Sequence, residues 1–464
     1  MSLAGVVVVA RHGDRQGFYQ DPKTYTARAT NLTVLGYLQE YQNGVELRNR
    51  YIDPASTNRI VGIEAEKAED VQIKVIADGA GEGTVIVDSA NAFMQGLFPP
   101  FNESITLANG TTVTWGNRAQ LINIETIEAD QQVWLEGYSS CNAWTQRLNA
   151  IYQSPDFTAQ SSSASPFFAS IQGLLGNSRP AVLENAYNVW DYLNVQSIHN
   201  STLAPNISAE QLATARGWAD YHESISFSDP DRSSVGNIAG TAMLPPLLGY
   251  LNSIANASDP TKWALIAGAY KPFLALGSLL DVPQLNSSIV NYASTLLFEV
   301  YTNNSVQALF RNGTFESGSW QPIPLLGSSM IPLSTLTDSL SRVSIPDRAA
   351  WCDICQTTDA RGCDVLAAYN GTGGGASYAS DTSTFGRHRV SPVTAGLIGA
   401  FVTLAVVALL SALAFVASKT RRRQQSRAAA SKGAALELPS RSADGTSLHT
   451  DASSARHLFS ENNK

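Results

Sequence analysis

The chain has 464 residues, enough for one large domain or two medium ones with a sizeable core. Its hydrophobic content of 44% and charged content of 15% fit a folded protein. The net charge of −8 is unevenly spread: nine Lys/Arg against four Asp/Glu after Ser418 leave the tail at +5 and the first 418 residues at −13, which argues against a nucleic-acid partner.

In chain order, the apolar run Gly5 to Ala10 predicts a buried strand, and Leu35 to Tyr51 an amphipathic helix. Val71 to Ile76 and Thr84 to Val87 read as strands, and Ala90 to Leu97 as a helix opening beside Ser89. From about 115 to 235 the pattern becomes mostly helical, with polar connectors such as Ser161 to Ser165. Asn237 to Ile254 predicts a helix, Trp263 to Ala267 a buried strand, and Pro272 to Leu280 a helix. Ser294 to Tyr301 and Val306 to Phe310 predict a strand pair. Strands alternating with helices imply an α/β core; the middle block implies a mainly helical insertion.

The C-terminal quarter has a different organisation. A Cys-containing segment (346–370) is followed by a Gly/Ser/Thr-rich stalk (371–392). Val393 to Ala417 carries no charge and is almost wholly apolar. At about 1.5 Å rise per residue it reaches roughly 37 Å, enough to cross a ~30 Å hydrocarbon layer with some tilt. Lys419, Arg421, Arg422 and Arg423 follow at once, so the membrane is an expected partner: a single-pass protein with residues 418–464 as a disordered cytoplasmic tail. Asn-x-Ser/Thr sequons at Asn31, Asn102, Asn109, Asn200, Asn206, Asn256, Asn286, Asn303, Asn312 and Asn370 all precede the apolar segment, as expected for an extracellular or lumenal ectodomain. Such an ectodomain calls for a leader, yet Met1 to Ala10 has no basic n-region, and its removal would take the first strand with it. The leader is therefore expected upstream of Met1 or as an uncleaved signal.

Cys141, Cys352, Cys355 and Cys363 are four in number, which in an oxidising compartment suggests two disulfides with three possible pairings. Cys352 and Cys355 also have the spacing of half a zinc site, but no second pair stands at metal-ligand spacing. The six histidines form no metal cluster by spacing, and no P-loop, Gly-x-Ser-x-Gly or His-Glu-x-x-His is present, so neither metal nor cofactor is expected.

Arg11-His12-Gly13-Asp14-Arg15 follows the first strand directly. An imidazole there can act as a phosphoryl nucleophile, and flanking guanidinium groups can clamp phosphate oxygens bidentately. Arg-His-Gly-x-Arg after a first strand resembles the signature of the histidine acid phosphatases, the branch of the histidine phosphatase superfamily that includes phytases. Leu32-Thr33 through Gly36, Gln39, Gly44, Leu47-Arg48 and Arg50-Tyr51 resembles that family's first helix. Ser89-Ala90 with Gly96-Leu97-Phe98-Pro99-Pro100 is similar to its second block, and Asn237-Ile238-Ala239-Gly240 to the helix returning to the core. The layout with Cys-rich segment, stalk and anchor is similar to membrane-bound fungal members.

The resemblance implies a phosphoglycerate mutase-like α/β core with a smaller helical domain, an ectodomain over 1–345, and a site at the C-terminal ends of the strands. It implies His12 as nucleophile and Arg11 and Arg15 as phosphate ligands. It also requires a third arginine four residues before Ser89 and a His-Asp pair after the strand Trp263 to Ala267. Val85 stands at the first place, and Ala269 and Tyr270 at the other two. Gly17 replaces the proline that follows the second arginine; the nearest proline is Pro22.

Two functions follow as expectations. The first is a catalytically impaired or inactive cell-surface protein that retains a phosphate or phosphomonoester pocket, because a missing general acid alone typically costs about 10²–10⁴-fold in rate. The second is an active acid phosphomonoesterase working through a phosphohistidine at His12, with Lys271 in place of the third arginine and Tyr270, Glu82 or Asp88 supplying the proton. His199 and His222 are expected as surface or satisfied core residues.

Overall fold

The computed structural model describes residues 1–17, 25, 30–79, 84–127, 132–176, 178–314 and 318–366. The chain divides into two units, Met1–Gly375 and Ala376–Lys464. Asn370, the stalk, the apolar segment 393–417 and the tail lie outside the described residues, as do Pro22 and Glu82. Among the described residues, no helix is long and apolar enough to cross a membrane.

Four parallel strands form the centre and one flank of the main sheet: β1 (Leu3–Arg11), β2 (Ile73–Asp78), β5 (Glu125–Ile127) and β6 (Trp263–Gly268). The other flank is antiparallel, made of β7 (Thr295–Tyr301), β8 (Ser305–Arg311), β9 (Gln321–Ile323) and β10 (Ile331–Pro332). The strand order is β10-β8-β7-β1-β6-β2-β5, with β9 also on β8. A separate exposed hairpin pairs β3 (Ser104–Thr106) with β4 (Thr112–Thr114). β1 lies centrally, between β6 and β7, and is buried on both faces, which explains its unbroken apolar sequence.

Alternation along β1 assigns the two layers. Val6, Val8 and Ala10 pack with Leu47 and Tyr51 of α1 (Val34–Tyr51) and with Phe93 and Leu97 of α2 (Val85–Leu97). Val7 and Val9 belong to the opposite core, formed with the insertion helices α3 (Asn142–Tyr152), α4 (Pro155–Leu175), α5 (Ala186–His199) and α6 (Ala209–Phe227). The same core takes in α7 (Ile238–Thr241), α8 (Leu244–Ala255), α9 (Lys271–Leu280) and α10 (Pro283–Asn286), together with α11 (Leu333–Ser341). A third small core surrounds Trp351 of α12 (Arg348–Cys355). There Cys141 is bonded to Cys355 and Cys352 to Cys363.

Three sequence expectations are corrected. Thr84 to Val87 is not a strand: Val85 to Val87 form the first turn of α2. Their β-branched side chains cost only tenths of a kcal/mol in a helix, and burial of Val85 and Ile86 outweighs this. Ser161 to Ser165 is not a connector but the middle of α4. Ser162 and Ser163 donate to the carbonyls of Thr158 and Ala159, while Phe157, Ala164, Phe168 and Ile171 form a buried stripe at helical spacing. Asn237 to Ile254 is not one helix. Pro245 has no N–H to offer the Thr241 carbonyl, and that carbonyl accepts from Ile345 N at 3.1 Å instead.

Candidate functional site

The signature lies where three elements meet at one edge of the sheet. Arg11 ends β1 opposite Gly268, the last residue of β6. Arg11 N–H donates to the Ser294 carbonyl (2.9 Å), His12 N–H to Gly268 (3.1 Å), and Ala293 N–H to His12 (2.9 Å), so backbone bonds to both neighbouring strands set the loop. Gly13 then passes against the start of α1. A Cβ on Gly13 would stand 2.6 Å from the Gly36 carbonyl, and one on Gly36 2.1 Å from the Asp14 carbonyl, so this crossing admits only glycine. Gly13 N–H donates to Ser89 Oγ (3.1 Å) and Asp14 N–H to Gln39 Oε1 (2.8 Å), which binds α2 and α1 to the signature.

His12 is buried, and its Nδ1 lies 2.8 Å from the Gly13 carbonyl. A carbonyl can only accept, so Nδ1 carries the proton and the lone pair sits on Nε2, the tautomer a nucleophile requires. Arg11 is 1% exposed; it donates through Nη1 to the Val290 carbonyl, and its Nε and Nη2 have no hydrogen-bond partner among the described residues. The rings of Tyr292 and Tyr270 stand 4.4 and 5.1 Å from its guanidinium carbon. Arg15, also fully buried, meets both oxygens of Asp191: Nη1 to Oδ2 at 3.3 Å and Nη2 to Oδ1 at 3.2 Å. Its Nη2 also donates to Tyr187 Oη (3.3 Å). Burial pushes the Tyr292 phenol well above its usual range, against the nearby charges of Arg15 and Arg11, so it stays a donor. Its hydroxyl points to Asp191 Oδ1 at 3.5 Å.

The three variant positions are buried structural residues. Val85 opens α2 and is fully buried. Ala269 and Tyr270 follow β6 and are buried. Tyr270 stacks on Tyr187, with ring centroids 4.9 Å apart, and donates its hydroxyl to Glu223 Oε2 at 2.6 Å. Glu223 Oε1 in turn meets His222 Nδ1 (2.7 Å), and His222 Nε2 meets Tyr152 Oη (2.7 Å). His222 is thus a satisfied core histidine. His199, exposed at the end of α5, places Nε2 2.7 Å from Asp14 Oδ2 and so joins the insertion to the signature loop.

The other candidate substitutes have partners of their own. Lys271 Nζ donates to Tyr138 Oη at 3.0 Å and sits over the Tyr138 ring, and Asp88 accepts from Thr84 Oγ1 at 2.7 Å. Sequence reasoning missed Asp191, Tyr187, Tyr292 and Glu223, which come to the signature from far along the chain. One local signal existed for Asp191: it is an acid in the otherwise buried stretch Tyr187 to Leu193. Glu40 of α1 was missed as well. It is 1% exposed, lines a small void with His12 and Ser89, and its carboxyl is held well above the ordinary range by burial, against the opposing effects of Asn43 and Arg311. Among the described residues no group of His, Cys, Asp and Glu could hold a metal ion. Of the nine described sequon asparagines, Asn200 and Asn286 are half-buried and the other seven exposed.

Known proteins share the fold that carries this site. Residues 2–171 match the family model of the histidine phosphatase superfamily (branch 2), and the resemblance drawn from the signature and its neighbouring blocks is borne out. The fold is similar to that of the phytase from Citrobacter braakii, with 15% identity, 75% of this chain and 99% of that chain covered, and a TM-score of 0.54. It is also similar to the Klebsiella sp. ASR1 phytase, with 16% identity, 75% and 96% coverage, and a TM-score of 0.53. At such identities the likeness establishes the fold alone. No curated protein matches the chain in sequence.

Proposed function

We propose that this chain, whose N-terminal region and fold are those of histidine phosphatase superfamily branch 2, is a membrane-anchored, glycosylated cell-surface protein. In this reading its phosphatase chemistry is impaired or lost and its signature serves as an anion pocket for phosphate or a phosphomonoester. The observation that carries the pocket is Arg11. A guanidinium that is 1% exposed, with two nitrogens lacking acceptors among the described residues, leaves a desolvation cost that a bound oxyanion would offset. Support for the impairment comes from the proton donors. Tyr270 follows β6 where the resemblance calls for an acid, but its hydroxyl is directed to Glu223, and Asp88 accepts from Thr84; Lys271, the stand-in for the third arginine, donates to Tyr138. Support for the anchor and the glycans rests on the apolar segment 393–417 with its basic flank and on the one-sided sequons.

The test is an assay of the full chain from pH 3 to 7 on an aryl phosphate and an alkyl phosphate. An aryl leaving group scarcely needs an acid. Turnover of the aryl ester alone, abolished by His12→Ala, indicates an impaired nucleophilic site. No turnover of either, with phosphate raising the melting temperature in wild type but not in Arg11→Ala, indicates a binding pocket. Efficient turnover of both esters refutes the impairment.

A further inference from the structure

We propose that Asp191 is the resident anion of this site and sets its affinity: the carboxylate occupies the Arg15 fork, and an external oxyanion binds by displacing it. The inference rests on the reading of Arg11 and Arg15 as an anion clamp.

The geometry is that of a guanidinium holding one planar oxyanion. Arg15 Nη1 donates to Asp191 Oδ2 at 3.3 Å and Nη2 stands 3.2 Å from Oδ1, an ion pair at the end of the guanidinium where a carboxylate or a phosphate can sit. The same nitrogens also donate to the Gln16 carbonyl (3.1 Å) and to Tyr187 Oη (3.3 Å). That edge of the guanidinium takes one oxyanion at a time. Tyr292 adds a contact to the same carboxylate at 3.5 Å, and the Arg15 and Asp191 side chains are 0% and 2% exposed. A phosphate drawn in by Arg11 therefore meets a buried negative charge beside it, and like charges in such a setting oppose each other strongly.

The surroundings show how the carboxylate could move. Asp191 also lines a cavity of about 320 Å³ with Gln16, Asn188, Gln196 and Arg179. The cavity gives the carboxylate room to rotate away from Arg15, and Arg179, whose guanidinium lies over the Tyr192 ring, lines it as well. α5 carries Tyr187 and Asp191, which both meet Arg15, and at its end His199 reaches Asp14 at 2.7 Å, so the helix meets the signature at three points. Displacement at Asp191 would loosen one of those attachments.

The experiment measures binding of inorganic phosphate to the full chain by calorimetry, in wild type, Asp191→Asn, and Asp191→Asn combined with Arg15→Ala. The amide keeps the size of the side chain and removes its charge. Expected is a gain in phosphate affinity of at least about tenfold in Asp191→Asn, equivalent to about 1.4 kcal/mol, and its loss when Arg15 is also removed. Equal affinity in wild type and Asp191→Asn, with loss of binding in Arg11→Ala, overturns the role of Asp191 and leaves the anion pocket standing. No binding in any folded variant overturns both. Because removing one partner of a buried pair can prevent folding, amide exchange in wild type provides a second measurement. Phosphate should increase exchange in α5, and greater protection there counts against displacement.

Discussion

Tyr270 donates its hydroxyl to Glu223 at 2.6 Å, directly behind β6, at the position where the family resemblance calls for an aspartate. The same ring stacks on Tyr187, a partner of Arg15, and flanks the guanidinium of Arg11. A residue that in sequence reads as a loss is, in the fold, the hinge between the signature and the chain Glu223–His222–Tyr152.

That position makes Tyr270→Phe a stability variant. The ring stacking survives, and buried Glu223 loses a donor. A loss of about 1–3 kcal/mol is expected in urea unfolding, the usual cost of leaving a buried polar atom unsatisfied. A change within experimental error would show that Glu223 finds another donor.

Glu40 predicts a pH dependence. Its carboxyl is buried, and burial holds its folded-state pKa well above the ordinary carboxylate value of 4.5. Above the unfolded value the folded state holds a proton that the unfolded state has released, so stability falls as pH rises until the folded-state pKa is passed. The slope from this one group is at most about 1.4 kcal/mol per pH unit. Glu40→Gln removes the dependence, so the variant should be the more stable protein above about pH 4.5, with a gap that widens as pH rises. Parallel stability curves for the two proteins would show that Glu40 ionises normally.

The Cys141–Cys355 bond closes a span of 214 residues, whereas Cys352–Cys363 closes one of 11. Restriction of the unfolded chain grows with loop length. Replacing Cys141 and Cys355 by alanine should cost about 2–5 kcal/mol, and replacing Cys352 and Cys363 less. Denaturant midpoints of the two double variants decide the order.

Exposure separates the sequons. Asn31, Asn102, Asn109, Asn206, Asn256, Asn303 and Asn312 stand exposed, and Asn200 and Asn286 are half-buried. In a secreting host the exposed group should carry glycans at higher occupancy, read by isotope labelling during enzymatic deglycosylation. Absence of any glycan would place this region on the cytoplasmic side. Protease trimming of the tail from the outside of intact cells would contradict the orientation read from Lys419 to Arg423.

β1, α1, β6, α9 and the β7–β8 pair were legible from sequence because each is either buried on both faces or amphipathic at its own period. The start of α2 and the middle of α4 were not. A β-branched triplet and a serine run carry the local preferences of other structures, and burial against partners distant in sequence overrides them. The break between α7 and α8 could have been read from Pro245 and Pro246.

By itself the sequence determined the family likeness, the signature around His12 and the three positions where the groups implied by the resemblance are absent, because the signature is contiguous and its chemistry depends on residue identity. Only the tertiary structure decided what those groups touch. Arg15 meets Asp191 from 176 residues away, Tyr270 meets Glu223, and Asp14 meets His199. The strength of a charge or a hydrogen bond depends on burial and on what faces it, and the insertion helices that supply these partners converge on the signature only when the chain is folded.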